Sequence, residues 1–451
     1  MELIIKRTFI WLMPKAMSRL QAVPLSYRFA KGAFWSLSGT LISRVLTLLA
    51  SIIAARFLGK EGFGQLGIIQ ITVGMFGTFA GFGMGVTAAK HVAEFRKKDA
   101  MKAGFIITLS SMVSIISGGI LSVLLFVFAP WLAEHTLSSP HLAPLLRLSS
   151  CMLLFSSING AQTGALAGFE AFKLIARINL WVGLLSFPIL VGGVYWGGLR
   201  GAVIGLIVGL GLNCLMNFYA IRIEARESQI PLKYHGCLSE WRVLWHFSMP
   251  AVLSGIMVTP VNWVCNAMLV NQPQGYSEMG IYNAACQWRA AVLFLPGVIG
   301  QVLMPMLSER MNQQDNNAAA KMLKLSVAVS AAAVLPIVVG GSLFSPMIMG
   351  SYGEGFAGSW STLVIVLITS ALVSAQMPVG NIIAASGKMW LGFLMNSGWG
   401  IATIVFTYLQ ANNGARGIAI GQLIGYLIHA VWTFGYAYKL LYKNKGITCQ
   451  A

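Results

Sequence analysis

The sequence predicts an all-α polytopic membrane protein, with about 12 transmembrane helices in two parallel-related six-helix lobes around a central cleft. Three observations predict it. Hydrophobic residues make up 57% of the 451 residues and charged residues only 10%, where soluble domains carry about 25% charged. The apolar residues gather into segments near the ~20 residues that a helix needs to cross hydrocarbon. Short motifs of the first half recur in the second half at a nearly constant offset. Together these exclude a disordered chain, a secreted disulfide scaffold and a typical soluble enzyme.

The segments run over 34–57, 63–86, 104–132, 143–168, 176–196, 201–222, 244–270, 277–305, 322–349, 358–384, 389–411 and 415–438. A basic leader, 1–33, precedes them. Its apolar run from Thr8 to Met13 is short and stopped by Pro14, so it reads as a surface amphipathic segment rather than a signal peptide. A polar linker at 223–243 separates an N-terminal lobe, 34–222, from a C-terminal lobe, 244–438, and a basic tail, 439–451, follows. Pro250, Pro260, Pro296 and Pro336 predict kinks in the spans that hold them.

The formal charge is +18, from 31 Lys and Arg against 13 Asp and Glu. With a cytoplasmic N-terminus and alternating spans, 24 of the basic residues fall on the cytoplasmic side. Arg56, Lys60, Arg147, Arg200 and Arg416 fall on the other side, and Arg44 and Arg289 lie within spans. That asymmetry predicts both termini in the cytoplasm. It assigns the basic excess to topology and to anionic membrane lipids rather than to nucleic acid. The six cysteines are scattered without a CxxC pair, so structural disulfides are not expected. Glu134, His135 and His141 share one loop and read as solvated residues, not metal ligands. No HExxH, GxSxG or P-loop is present, so neither a cofactor nor an enzyme is predicted.

The duplication rests on four matches in order. Gly62 to Ile68 corresponds to Gly275 to Ile281 at an offset of 213, and Ala161-Gln162 to Ala375-Gln376 at 214. Asn179 and Gly183 correspond to Asn396 and Gly400 at 217, and Gly198 to Gly205 corresponds to Gly414 to Gly421 at 216. An even number of spans per half gives both halves one orientation, related by an axis along the membrane normal. Two such lobes can rock about a cleft, which is the geometry of alternating access.

The run from Ala54 to Gly64, AARFLGKEGFG, resembles the "ARxLGxExYG" turn between the first two spans of polysaccharide transporters. The basic leader, the polar-striped first span, and the small-residue run Gly77–Gly85 before Arg96-Lys97-Lys98 strengthen the likeness. The chain thus resembles Wzx-type O-antigen flippases, in the multidrug/oligosaccharidyl-lipid/polysaccharide exporter superfamily. The resemblance implies translocation of an undecaprenyl-pyrophosphate-linked oligosaccharide across the bacterial inner membrane. It implies a polysaccharide polymerase and a chain-length regulator as partners. Lipid II flippases of that superfamily carry two further spans, which this pattern lacks.

The ionisable residues within spans bear on the cargo. None of the 13 acids is mid-span, whereas Arg44 and Arg289 are. Charges inside a membrane normally face the bundle interior or a wet cavity. A cleft with fixed cations and no carboxylates favours an anion, and arginine's fork suits phosphate oxygens. Arg44 and Arg289 are therefore the candidate pyrophosphate ligands. Ser36, Thr40, Ser43, Arg44, Thr47 and Ser51 recur at helical spacing, so Ser43, Thr47 and Ser51 are candidate cleft-lining residues. The same stripe would also suit helix packing through small hydroxyls. Arg289 would equally suit a bond to a neighbouring carbonyl or to Asn262. Asn262 and Asn266, four apart on one face, would bind sugar hydroxyls or tie helices together. Asn159, Gln162, Gln376 and Asn381 are further, weaker candidates. Two rival functions remain open: a cation-coupled multidrug exporter of the same superfamily, and a non-transporting scaffold of polysaccharide assembly.

Overall fold

The structure is a computed structural model that describes residues 25–241, 257–300, 316–386 and 389–442. The leader through residue 24, Pro250 and the early part of segment 244–270, and residues 301–315 lie outside the described residues, as does the tail beyond 442. The described chain is helical without a strand. Its helices are α1 (Leu25–Ala80), α2 (Met84–Phe95), α3 (Ala100–Trp131), α4 (Ala143–Gly168), α5 (Phe172–Glu227), α6 (Val258–Val270) and α7 (Gly275–Val292). There follow α8 (Asn316–Leu343), α9 (Ser345–Ser351), α10 (Glu354–Ala357), α11 (Trp360–Ala385), α12 (Met389–Leu409) and α13 (Gly414–Tyr442). Seven described segments are long and apolar enough to cross a membrane, by length and composition.

Helices α1 and α5 each carry two of the expected spans. A straight helix of α5's 56 residues would reach about 84 Å, nearly three times the hydrocarbon thickness. It folds back at one residue, Gly198, just as α1 breaks at Gly59. Two expected boundaries are corrected. The span expected over 63–86 ends at Ala80, where Phe82 and Gly83 both turn to positive φ before α2 begins. The span expected over 322–349 ends at Leu343. Pro346 has no N–H for the Ser342 carbonyl, and the Ser345 hydroxyl donates to that carbonyl instead, at 2.7 Å.

The repeated GxRGxxxG string builds the same hairpin twice. Gly198 has φ 53° and ψ −135°, and Gly414 has φ 57° and ψ −137°. Side chains rarely tolerate that conformation, so both copies keep glycine there. Three residues on, a Cβ at Gly201 would collide with the Gly193 carbonyl, and one at Gly417 with the Gln410 carbonyl. Two turns further, Gly209 packs on Ser186 and Gly425 on Thr403. In both halves a glycine stripe lets the last span lie directly against the one before it.

The two halves meet mainly at one end. There Ala55, Phe63 and Ile69 of the first half share an apolar core with Cys265, Val270 and Tyr282 of the second. We call this the seam end. At the opposite end the described residues form separate cores. One holds Ala88, Val92, Ile106, Leu166 and Ile221 from the first half, and others hold Ala319, Ile382, Val379 and Met395 from the second. Lys90, Arg96, Lys97, Lys98, Lys102, Lys173, Arg226, Lys321, Lys324 and Lys439 lie at this basic end. The polar stretch after α5 docks there on α3: the Thr108 hydroxyl donates to the Lys233 carbonyl at 3.0 Å, Ile230 is buried, and Lys102 pairs with Glu240 at 3.7 Å.

The hairpin geometry orders three substitutions. Gly201→Ala, which meets backbone, should lower the melting temperature in detergent most. Gly198→Ala meets no atom and carries only the positive-φ cost of about 1–2 kcal/mol. Gly197→Ala, in open space, should change little. Equal melting temperatures for all three would refute this account.

Candidate functional site: a cationic cleft between the lobes

Helix α7 carries Arg289 into a network of neutral partners. Its Nη1 donates to Gln422 Oε1 at 2.6 Å and its Nη2 to Tyr426 Oη at 3.0 Å. Gln422 Nε2 in turn donates to Asn262 Oδ1 at 3.0 Å. Gln376 Nε2 donates to the Tyr426 carbonyl at 3.1 Å, while its Oε1 lies 2.6 Å from His429 Nδ1. An amide oxygen only accepts, so His429 Nδ1 is the donor. Both terminal guanidinium nitrogens are bonded to neutral groups, neither to a carboxylate, so these partners leave its charge unneutralised.

Gln422, Tyr426, His429 and Thr433 share one face of α13 at spacings of four, three and four. Sequence reasoning missed this face. The signal was present, because the spacing test that picked out the Arg44 stripe also picks out this one.

Arg44 stands on the other half. It is exposed, and its guanidinium carbon lies 5.3 Å from the ring centroid of Phe294, which belongs to the second half. That distance fits a cation–π contact. Arg44 lies 15 residues before the Gly59 break and Arg289 lies 14 residues after Gly275. At 1.5 Å per residue both are roughly 21–23 Å from the seam end, so the two cations share a depth.

The stripe on α1 divides. Ser43 packs on α5, where a Cβ at Gly183 would come within 2.7 Å of its hydroxyl. Ser51 is buried and donates to the Leu48 carbonyl at 2.8 Å. Thr47 is exposed beside Arg44 and donates to the Ser43 carbonyl at 2.9 Å.

Asn262 and Gln376 join the Arg289 network. Asn266 donates to the Asn262 carbonyl at 2.7 Å, and Asn381 to the Gly300 carbonyl at 3.4 Å. Asn159 ties α4 to the Leu210 carbonyl at 3.0 Å, and Gln162 is buried in the first half. Ion pairs at the basic end include His91–Glu94, Arg96–Glu170 and Lys102–Glu240. Among the described residues no three His, Cys, Asp or Glu side chains are grouped to hold a metal.

The seam end is closed by two latches that obey the duplication. Arg56 Nε donates to the Ser351 carbonyl at 2.6 Å, and Asn271 Nδ2 donates to the Thr136 carbonyl at 2.8 Å. Donor and acceptor each shift by 215 residues between the two. Beside the first latch the Phe63 ring packs 6.2 Å from that of Tyr352. Beside the second, the equivalent pair recurs as the Tyr276 hydroxyl donating to the Leu137 carbonyl at 2.6 Å. Each half thus reaches across from its first turn to the third-to-fourth-span turn of the other.

Known proteins are similar to this chain in sequence and in fold. The family described as "Polysaccharide biosynthesis protein" matches residues 29–311, more than half of the chain. An EPS I polysaccharide export inner membrane protein of Ralstonia nicotianae is 23% identical over 407 residues, covering 87% of this chain and 89% of its own. The lipid III flippase of Escherichia coli K12 is 23% identical over 317 residues, covering 67% of this chain and 73% of its own. Among solved structures, an inward-facing multidrug resistance MATE family transporter of the MOP superfamily superposes with a TM-score of 0.73 at 14% identity. It covers 92% of this chain and 99% of its own. That likeness shows the two-lobe fold.

If the latches hold the seam, breaking them exposes what lies beneath. Cys265 is fully buried there. In a protein whose other cysteines are serine, held in nanodiscs, Arg56→Ala and Asn271→Ala should each speed maleimide labelling of Cys265 several-fold. The double variant should be faster still. Unchanged labelling would remove the latches as closing elements.

Proposed function

The chain belongs to the polysaccharide biosynthesis protein family, and from that premise we propose that it flips a polyprenyl-pyrophosphate-linked oligosaccharide. The cargo is an O-antigen or related surface-polysaccharide repeat unit, moved from the cytoplasmic to the periplasmic leaflet of the bacterial inner membrane. One observation carries the reading: Arg44 and Arg289 stand at one depth on opposite halves, with no mid-span carboxylate among the described residues. A cation held by neutral amides and a phenol keeps its field, and that field attracts a phosphate.

The basic end faces the cytoplasm by the positive-inside rule, which puts both termini there. Residues 34–222 and 244–438 act as the two moving lobes. The shared core and paired latches at the seam end support a state whose cleft faces the cytoplasm. The pyrophosphate enters there and meets Arg44 and Arg289, while Thr47 and the amides of Asn262 and Gln376 stand near the first sugar. The polyprenyl tail remains in lipid. As the lobes rock, the latches part and the head group leaves at the periplasmic side. Moving negative charge out of a cell that is negative inside is downhill by ~2.3 kcal/mol per charge per 100 mV. No coupling carboxylate is then required.

The drug-export alternative shares the fold. A cleft whose fixed charges are both positive repels a cationic drug, so the charge pattern favours the lipid-linked anion.

Deleting the gene should cause lipid-linked oligosaccharide to accumulate on the cytoplasmic side and surface polymer to disappear. Arg44→Ala and Arg289→Ala, expressed at wild-type level, should lower export at least tenfold. That matches the ~1.5–3 kcal/mol of one hydrogen bond to a charged group. An unchanged pool with intact surface polymer would overturn the proposal. Full export by both variants would remove the arginines from it.

A further inference from the structure

A cavity of about 380 Å3 lies at the seam end, beside the latch formed by Asn271 and Thr136. Trp263, Ala267, Asn271 and Gln272 of the second half line it with Tyr408, and Thr136 borders it from the first half. We propose that this cavity is a binding subsite for an uncharged sugar ring, occupied as cargo leaves the cleft. Its role in transport rests on the export reading above; its ligand chemistry does not.

The duplication accounts for both latches but not for the cavity. On the equivalent flank, beside Arg56 and Ser351, aromatic side chains take those positions. At offsets of 215 and 216, Gln272 corresponds to Phe57 and Ala411 to Tyr195, and those two rings meet edge to face at 5.6 Å. Two flanks related by the duplication thus carry an aromatic pair on one side and an open pocket on the other.

The lining chemistry selects the ligand. No charged side chain lines the cavity, so it offers nothing to a phosphate or a metal ion. It offers two amphipathic aromatic rings and two amides instead. A sugar presents the complementary surface, with C–H groups on its ring faces and hydroxyls around its rim. Trp263 Nε1 is already committed to Thr72 Oγ1 at 3.0 Å, which fixes the indole and leaves its ring as the contact surface. Asn271 is committed as well, to the carbonyls of Thr136 and Ala267. The Gln272 backbone bonds to Leu269 and Gly275, but its side chain has no hydrogen-bond partner among the described residues, so its amide is the donor and acceptor available to hydroxyls.

Position and size agree. The lining runs from the ends of α6 and α12 one to two turns inward, where a head group emerges from the cleft. A volume near the lower limit of ~300–1,000 Å3 for ligand pockets suits one or two sugar rings, not a whole repeat unit. Asn271 also holds the latch, so a seated sugar touches the residue that closes the seam.

The test uses the full chain in nanodiscs and saturation-transfer NMR against free monosaccharides: a hexose, a 6-deoxyhexose, an N-acetylhexosamine and a hexuronic acid. At least one neutral sugar should receive saturation from the wild-type protein. That signal should fall at least threefold in Tyr408→Ala and in Gln272→Ala, two substitutions outside the packed core, and persist in Arg289→Ala. Equal signals in wild type and both pocket variants, or none from any neutral sugar, would overturn the subsite. So would a signal lost only in Arg289→Ala, since the sugar would then sit in the central cleft. A pocket-dependent signal in a protein whose deletion leaves the lipid-linked pool unchanged would keep the subsite and remove the flippase reading.

Discussion

The arrangement depends on a backbone-to-backbone contact between the halves. A Cβ at Gly64 would collide with the Tyr276 carbonyl, and one at Gly280 with the Lys60 carbonyl. In lipid there is no hydrophobic gain from pressing two apolar helices together, so association relies on close packing. Glycine at these places lets α1 and α7 approach until their main chains touch. The shared core, the two latches and the mutual depth of the two arginines all follow from that approach. It binds the halves at one end and leaves their opposite ends to build cores of their own.

The second constraint is the desolvation of Arg289. A guanidinium within a membrane is costly unless its donors are satisfied. A carboxylate would satisfy them and also cancel the charge. This protein uses Gln422 and Tyr426, with Gln376 and Asn262 behind them, and so gives both terminal nitrogens a partner while leaving a net cation. Arg44 reaches a similar compromise against the face of Phe294. Both solutions hold positive charge at one depth within the spans, one on each half.

Much of this was legible in the sequence. Most of the described apolar segments coincide with helices because bilayer thickness fixes their length, while those expected over 63–86 and 322–349 end early at Ala80 and Leu343. The GxRGxxxG repeat was readable because its glycines are needed by backbone geometry, which the alphabet records directly. The arginines stood out because ionisable residues are rare in spans. Partners were harder to read. The structural alternative for Arg289, a bond to a carbonyl or to Asn262, is met only indirectly, through Gln422, a pairing set by how α13 docks. Ser43 and Thr47 share a sequence stripe, yet one packs on Gly183 and the other is exposed, because a stripe is wider than the surface that covers it. The latches were invisible, since both acceptors are main-chain carbonyls and carry no side-chain signature.

The stretch that follows α5 is fastened to the first lobe through Ile230, Lys233 and Glu240 on α3. The described part of that stretch, up to Trp241, therefore packs as part of the first half and is not a slack tether shared equally by both. In mechanical terms the first half carries the described part of the connector as a mounting bracket, fixed at three points along α3.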